Sequence, residues 1–174
     1  MIRIVITGGP STGKTSLINQ LSSPDRKIFH EVARIVIKEQ LQLKSNKVPW
    51  DDITGFSQLV LKKQIEDFNN AENTFNIYDR GIPDLIGYMN HGNKTLFKDL
   101  ELAAKSLTYQ FVFILPPWQA IYETDNERRE SFKEAIKINQ NLTKAYIDLG
   151  YTPIEIPQGT LENRLNFILE KING

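Results

Sequence analysis

Short runs of β-branched and aromatic residues alternate along the chain with longer segments in which apolar positions recur every three or four residues. The runs cover residues 2–6 (Ile-Arg-Ile-Val-Ile), a short, weak stretch at 27–30, and then 75–78, 111–115 and 152–156. Each reads as a strand. The last suits a strand beginning or a sheet edge, because Pro153 has no N–H to give to a ladder. Helical periodicity predicts helices over residues 14–21, 33–43, 53–72, 83–89, 94–107 and 131–149. In a final helix, Leu161, Leu165, Ile168 and Ile172 form one apolar stripe. Pro83 fits a first helical position, and Gly150 fits a C-terminal stop. This alternation predicts βαβ crossovers, hence an α/β fold with a parallel sheet covered on both faces. Two irregular segments interrupt the pattern, at 45–52 and 116–130. The second joins Pro116-Pro117 to a charged run and reads as a lid.

Composition narrows what such a fold can do. A length of 174 residues predicts one domain over residues 1–174, and 40% hydrophobic with 24% charged residues excludes a disordered tail. The 21 basic and 21 acidic residues cancel, so no overall field draws the chain to nucleic acid or anionic lipid. Cysteine is absent, which excludes a disulfide framework, a thiolate metal site and a cysteine nucleophile. His30 and His91 stand alone, so no structural metal is expected. No run approaches the roughly 20 apolar residues of a membrane span, and the opening MIRIVITGGP does not read as a signal peptide. The expectation is a soluble, cytoplasmic protein with no nucleic-acid partner, no membrane span and an open oligomeric state.

The first turn carries the strongest chemical signal. Gly8-Gly9-Pro10-Ser11-Thr12-Gly13-Lys14-Thr15 fits G-x-x-x-x-G-K-[ST], the phosphate-binding P-loop, with a strand leading in and a helix leading out. A chance match in such a chain is on the order of 1%. The glycines let the backbone wrap a polyphosphate with its N–H groups inward, and the following helix, through Ser16, adds its positive end. Lys14 would reach the β- and γ-phosphates, and the Thr15 hydroxyl would ligate Mg²⁺. The implied ligands are ATP, or GTP in its place, and Mg²⁺. The GTPase pattern N-K-x-D is missing: Asn93-Lys94 continues as Thr95-Leu96 and Asn46-Lys47 as Val48-Pro49. No LSGGQ-like signature occurs. What is left favours a small-molecule kinase.

Further candidates follow the strands. Tyr78-Asp79-Arg80-Gly81 ends the third run, which places Asp79 and Arg80 at the carboxyl edge of the sheet, where ligands of open α/β sheets sit. Asp79 can hold Mg²⁺ or accept a proton, and Arg80 can grip phosphate or acceptor; the plainer reading has them pair with each other at a loop. Glu31 and Arg34, in His-Glu-Val-Ala-Arg after the second run, suit a general base and an acceptor- or phosphate-binding residue. They equally suit an N-terminal acid paired at i,i+3. Arg128 and Arg129, in Asn-Glu-Arg-Arg-Glu, suit a flap that meets transition-state charge, or a solvated face. Asp84 suits an acceptor contact, or simply a first-turn acid. Trp50-Asp51-Asp52 could line an acceptor pocket, and Asp52 also fits a helix cap.

Together, GGPSTGKT, HEVAR, YDRGIPD, NERRESF and YTPIEIPQGTLENRLNFI resemble the small P-loop ATPase/kinase family typified by the ribosylnicotinamide-kinase domain of NadR proteins. The resemblance runs over nearly the whole chain. It implies the nucleoside/nucleotide-kinase type of P-loop fold, related to thymidylate and deoxynucleoside kinases, with a five-stranded parallel sheet in the order 2-3-1-4-5. It also implies ATP-Mg²⁺ binding and phosphorylation of a nucleoside- or nucleotide-like acceptor. By position, Lys14 and Thr15 serve triphosphate and metal, Asp79-Arg80 match the family's acid–arginine pair, Glu31 its strand-two carboxylate, and Arg128 and Arg129 its lid. The competing function is a nucleotide-dependent switch that binds or slowly hydrolyses ATP or GTP and acts through a partner.

Overall fold

A computed structural model describes residues 1–72, 74–122 and 131–174. Among these, five strands form one parallel sheet in the order β2-β3-β1-β4-β5, as expected from the resemblance. The strands are β1 (Ile2–Gly8), β2 (Arg26–Phe29), β3 (Phe75–Asp79), β4 (Phe111–Leu115) and β5 (Ile154–Glu155). The helices are α1 (Lys14–Gln20), α2 (Val32–Gln42), α3 (Ile53–Asn69), α4 (Ile82–His91), α5 (Lys98–Ser106), α6 (Phe132–Asp148) and α7 (Leu161–Asn173). β1 is central, with Ile4 opposite Ile77 of β3 on one side and Phe111 of β4 on the other.

Alternation along the strands builds a core on each face. Ile4, Ile6, Ile77, Phe113 and Leu115 pack with Leu17 and Ile18 of α1 and Ile168 of α7. Val5, Tyr78 and Val112 point the other way, to Phe68 of α3 and Tyr146 of α6. Beyond them, α2, α3, α4 and α5 share a third apolar cluster around Val36, Val60, Ile86 and Leu100.

Among the differences from the sequence expectation are two boundaries and one helix face. β5 keeps only two residues: Pro153 precedes it and Pro157 closes the segment, while Ile156 still donates its N–H to Ile114. α5 starts at Lys98 because Asn93 sits at φ 52° and Phe97 is extended. α7 buries Arg164, Ile168 and Ile172, whereas Leu161 at the start of the expected stripe is 37% exposed. Asp52 does cap α3, accepting from the Gly55 N–H, and Gly150 ends α6 at φ 88°. No described helix is long and apolar enough to cross a membrane.

Candidate active site

The turn from β1 into α1 needs glycine where the motif has it. Gly8 adopts φ 148°, and a Cβ there would lie 2.7 Å from the Leu115 carbonyl oxygen. Gly13 stands in the left-handed region at φ 76°, as does Ser11 at φ 55°. Three side chains from distant elements fix the loop. Asn139 of α6 accepts from the Gly9 N–H at 3.1 Å, Arg164 of α7 donates to the Thr12 carbonyl at 2.8 Å, and Arg80 donates to the Gly8 carbonyl at 3.1 Å. The Thr12 hydroxyl closes the loop on itself by donating to the Gly9 carbonyl. Pro10 lies within this turn, and Thr15 and Ser16 open α1 with exposed side chains.

Lys14 does not project freely into the loop. Its ammonium pairs with Asp79 and lies 3.8 Å from Glu31. Glu31 in turn takes Arg80 at 2.9 Å on one oxygen and Arg34 at 3.0 Å on the other. Glu31 stands at the N-cap of α2 but makes no capping hydrogen bond there, so its carboxylate is left to the ion cluster. Arg80 completes the set with Asp84 at 3.1 Å and carries a left-handed φ of 72°, held by its own N–H on the Ile6 carbonyl. For a residue with a Cβ that conformation is strained, and it turns the guanidinium back over the loop. Asp79 and Arg80 thus face different partners, while the i,i+3 pair of Glu31 with Arg34 is present and joins the wider cluster.

The cluster separates its two carboxylates. Burial alone would push the Glu31 carboxyl up, but Arg80, Lys14 and Arg34 outweigh it and hold the group well below the usual carboxylate range. Burial pushes Asp79 upward and the Glu31 charge adds to this, with Lys14 opposing; the net direction is up.

Asp84 lies beneath this layer, 1% exposed. One oxygen takes the Thr7 hydroxyl and Arg80, the other the Gly81 N–H at 3.0 Å and the Tyr146 hydroxyl. In the structure it supports Arg80. Tyr109 accepts the neighbouring Ile82 N–H at 3.2 Å. Behind Asp79 and Arg80, a crevice lined by Phe29, Val32, Gln64 and Tyr78 has a volume of about 10 Å³, room for about one water. Trp50 is 62% exposed, on the turn that leads to α3. Arg128 and Arg129 lie outside the described residues, as does most of the expected lid; its first part holds a short 3₁₀ turn at Gln119–Ile121.

The sequence matches the AAA-domain family AAA_28 over residues 3–164. The chain belongs to that family. No curated protein matches its sequence. In fold, this AAA-domain protein is similar to deoxyadenosine kinase from M. mycoides solved with dCMP and dCDP, at TM-score 0.70 and 14% identity over 99% of each chain. It is also similar to thymidylate kinase from Candida albicans, at TM-score 0.71 and 17% identity over 99% of this chain and 91% of that one. These likenesses establish the nucleoside-kinase type of P-loop fold for the AAA-domain chain.

Sequence reasoning missed Thr7, Asn139, Tyr146 and Arg164 in this AAA-domain site. Only Arg164 carries a local signal: it stands four residues before Ile168 on the buried side of α7, a charge on an apolar stripe.

Proposed function

We propose that this protein is a small-molecule kinase that moves the γ-phosphoryl of ATP, or of GTP, to a nucleoside- or nucleotide-like acceptor, as its resemblance to the NadR-type kinases suggests. One observation carries the reading: a P-loop lysine is linked to Glu31, Asp79 and Arg80 in one buried cluster at the carboxyl edge of the sheet. A loop that only bound nucleotide would need Lys14 but no buried ladder of alternating charges leading away from it.

An arriving triphosphate draws Lys14 away from Asp79 and frees that carboxylate. Hydroxyl and carboxylate oxygens suit a hard cation, so Thr15 and Asp79 would hold Mg²⁺, which neutralises phosphate charge when bound. The acceptor hydroxyl attacks the γ-phosphorus, an O–P bond forms, and the bond to the β–γ bridging oxygen breaks with its electron pair leaving on the diphosphate. Asp79 or Glu31 takes the acceptor proton, and Glu31, pinned low between two guanidinium groups, also orients the hydroxyl as a hydrogen-bond acceptor. Arg80 and Arg34 hold the acceptor side, Asp84 positions Arg80, and Arg128 and Arg129 meet charge developing on the transferred group. A crevice of about 10 Å³ is far below the roughly 300–1,000 Å³ of small-molecule pockets.

The test is ATP and GTP consumption with Mg²⁺, with and without a panel of nucleosides, nucleotides and ribosylnicotinamide, following products by mass, with Lys14→Ala as background. A phosphorylated product with acceptor-dependent turnover is expected, and Asp79→Asn is expected to lower it at least about 100-fold. Slow hydrolysis indifferent to every acceptor would point to the switch instead.

A further inference from the structure

Every buried cation of the ion cluster has a carboxylate partner: Lys14 has Asp79 and Glu31, and Arg80 has Glu31 and Asp84. Arg164 does not. It is 6% exposed, it sits on α7 against the outer side of the P-loop, and no carboxylate among the described residues is paired with it. Its contacts are a hydrogen bond from Nη2 to the Thr12 carbonyl at 2.8 Å and a Trp118 ring 5.9 Å from Cζ. Its Nη1 comes within 3.0 Å of where a Cβ on residue 13 would stand, an approach that glycine permits. A buried guanidinium that leaves water for one neutral carbonyl and one aromatic face is poorly compensated. Burial correspondingly pulls its pKa below the ordinary arginine value.

We infer that Arg164 is a positioning residue of the donor-nucleotide site, and that the counter-charge it lacks is the polyphosphate of the bound nucleotide. The inference rests on the proposed reading of the P-loop as a nucleotide site. Its geometry follows from the peptide plane. In a trans peptide the C=O and the next N–H point in opposite directions. Tying the Thr12 carbonyl outward to Arg164 therefore aims the Gly13 N–H toward the opposite side, the hollow of the loop. A charged donor on the carbonyl also polarises that peptide and makes its N–H a stronger donor. The positive charge adds to that of Lys14 at the phosphates from the other side of the chain. A purely structural arginine would stabilise the empty protein; this one burdens it, and is relieved when an anion arrives.

The experiment compares wild type with Arg164→Met and Arg164→Lys. It measures the melting temperature of each empty protein, and the affinity of each for ATP, ADP, inorganic tripolyphosphate and adenosine by calorimetry with Mg²⁺. Arg164→Met is expected to melt at or above the wild-type temperature while ATP and tripolyphosphate bind about 10- to 100-fold more weakly, ADP is weakened less and adenosine is unchanged. Arg164→Lys, which keeps the charge but not the fork, is expected to recover part of the loss. Wild-type affinity for tripolyphosphate in both variants would overturn the inference. So would an equal loss for adenosine and tripolyphosphate, or an empty Arg164→Met protein that is markedly destabilised or unfolded while Arg164→Lys binds tripolyphosphate as wild type does. Wild-type protein that bound no nucleotide would instead overturn the proposed function, and the inference with it.

Discussion

Asp84→Asn is the sharpest perturbation the site offers, because the two side chains have the same shape. Each carboxylate oxygen of Asp84 receives one hydroxyl and one donor that cannot reverse. Thr7 and Arg80 share one oxygen; Tyr146 and the Gly81 N–H share the other. A hydroxyl can turn and accept, but a guanidinium and a peptide N–H cannot. Asparagine must therefore aim its NH₂ at an obligate donor in either orientation. It also removes the carboxylate that faces Arg80 in a buried pair. Breaking such a pair costs about 3–5 kcal/mol, a large share of the roughly 5–15 kcal/mol that holds a domain together. For a chain of this length, about 2–4 °C per kcal/mol gives a fall in melting temperature of roughly 6–20 °C. Urea denaturation followed by circular dichroism would read the same loss as a lower midpoint at unchanged slope. A variant within about 1 kcal/mol of wild type would refute the argument, since that is no more than an average point substitution produces.

Two further outcomes follow from the geometry. Glu31 is ionised more readily in the folded chain than at its ordinary value of 4.5, so its stabilising contribution is complete above that pH and is lost as pH falls through the lower folded value. Glu31→Gln should thus be less stable than wild type at pH 7, with the gap closing below about pH 4.5; a gap that widened on acidification would contradict the assignment. Gly8→Ala should lose at least about 1–3 kcal/mol in chemical denaturation, because φ 148° and the Leu115 carbonyl at 2.7 Å leave no room for a methyl group. An unchanged midpoint would mean that the loop relaxes around the methyl.

What was legible in the sequence was local. Residues 8–15 show the P-loop because its glycines, lysine and threonine are contiguous, and strand and helix periods follow from neighbours two to four residues apart. Glu31 and Asp79-Arg80 were legible because a strand's last residues stand at the sheet edge wherever the strand pairs. What Asp84 does was not legible, since a first-turn acid on a helix looks the same whether it faces solvent or, as here, Tyr146 from another helix. Asn139 sits among polar residues on a half-exposed helix, and nothing nearby marks its bond to Gly9. The crevice volume beside Asp79 depends on how α3 lies over the sheet, which no local pattern encodes.

The placement of β1 at the centre of the sheet also dictates an order of assembly. β1, made before the other four strands, can pair with neither neighbour until β3 and β4 have emerged, with Phe75 and Phe111 as its partners. The loop that follows it waits longer still. Lys14 finds Asp79 65 residues downstream, Gly9 finds Asn139 130 residues downstream, and Thr12 finds Arg164 152 residues downstream. Contacts this distant in sequence slow folding, since the chain must close large loops before they reward it. A nascent chain therefore carries its nucleotide-binding motif well before it gains a finished phosphate cradle, which waits until α7, made after all five strands, docks.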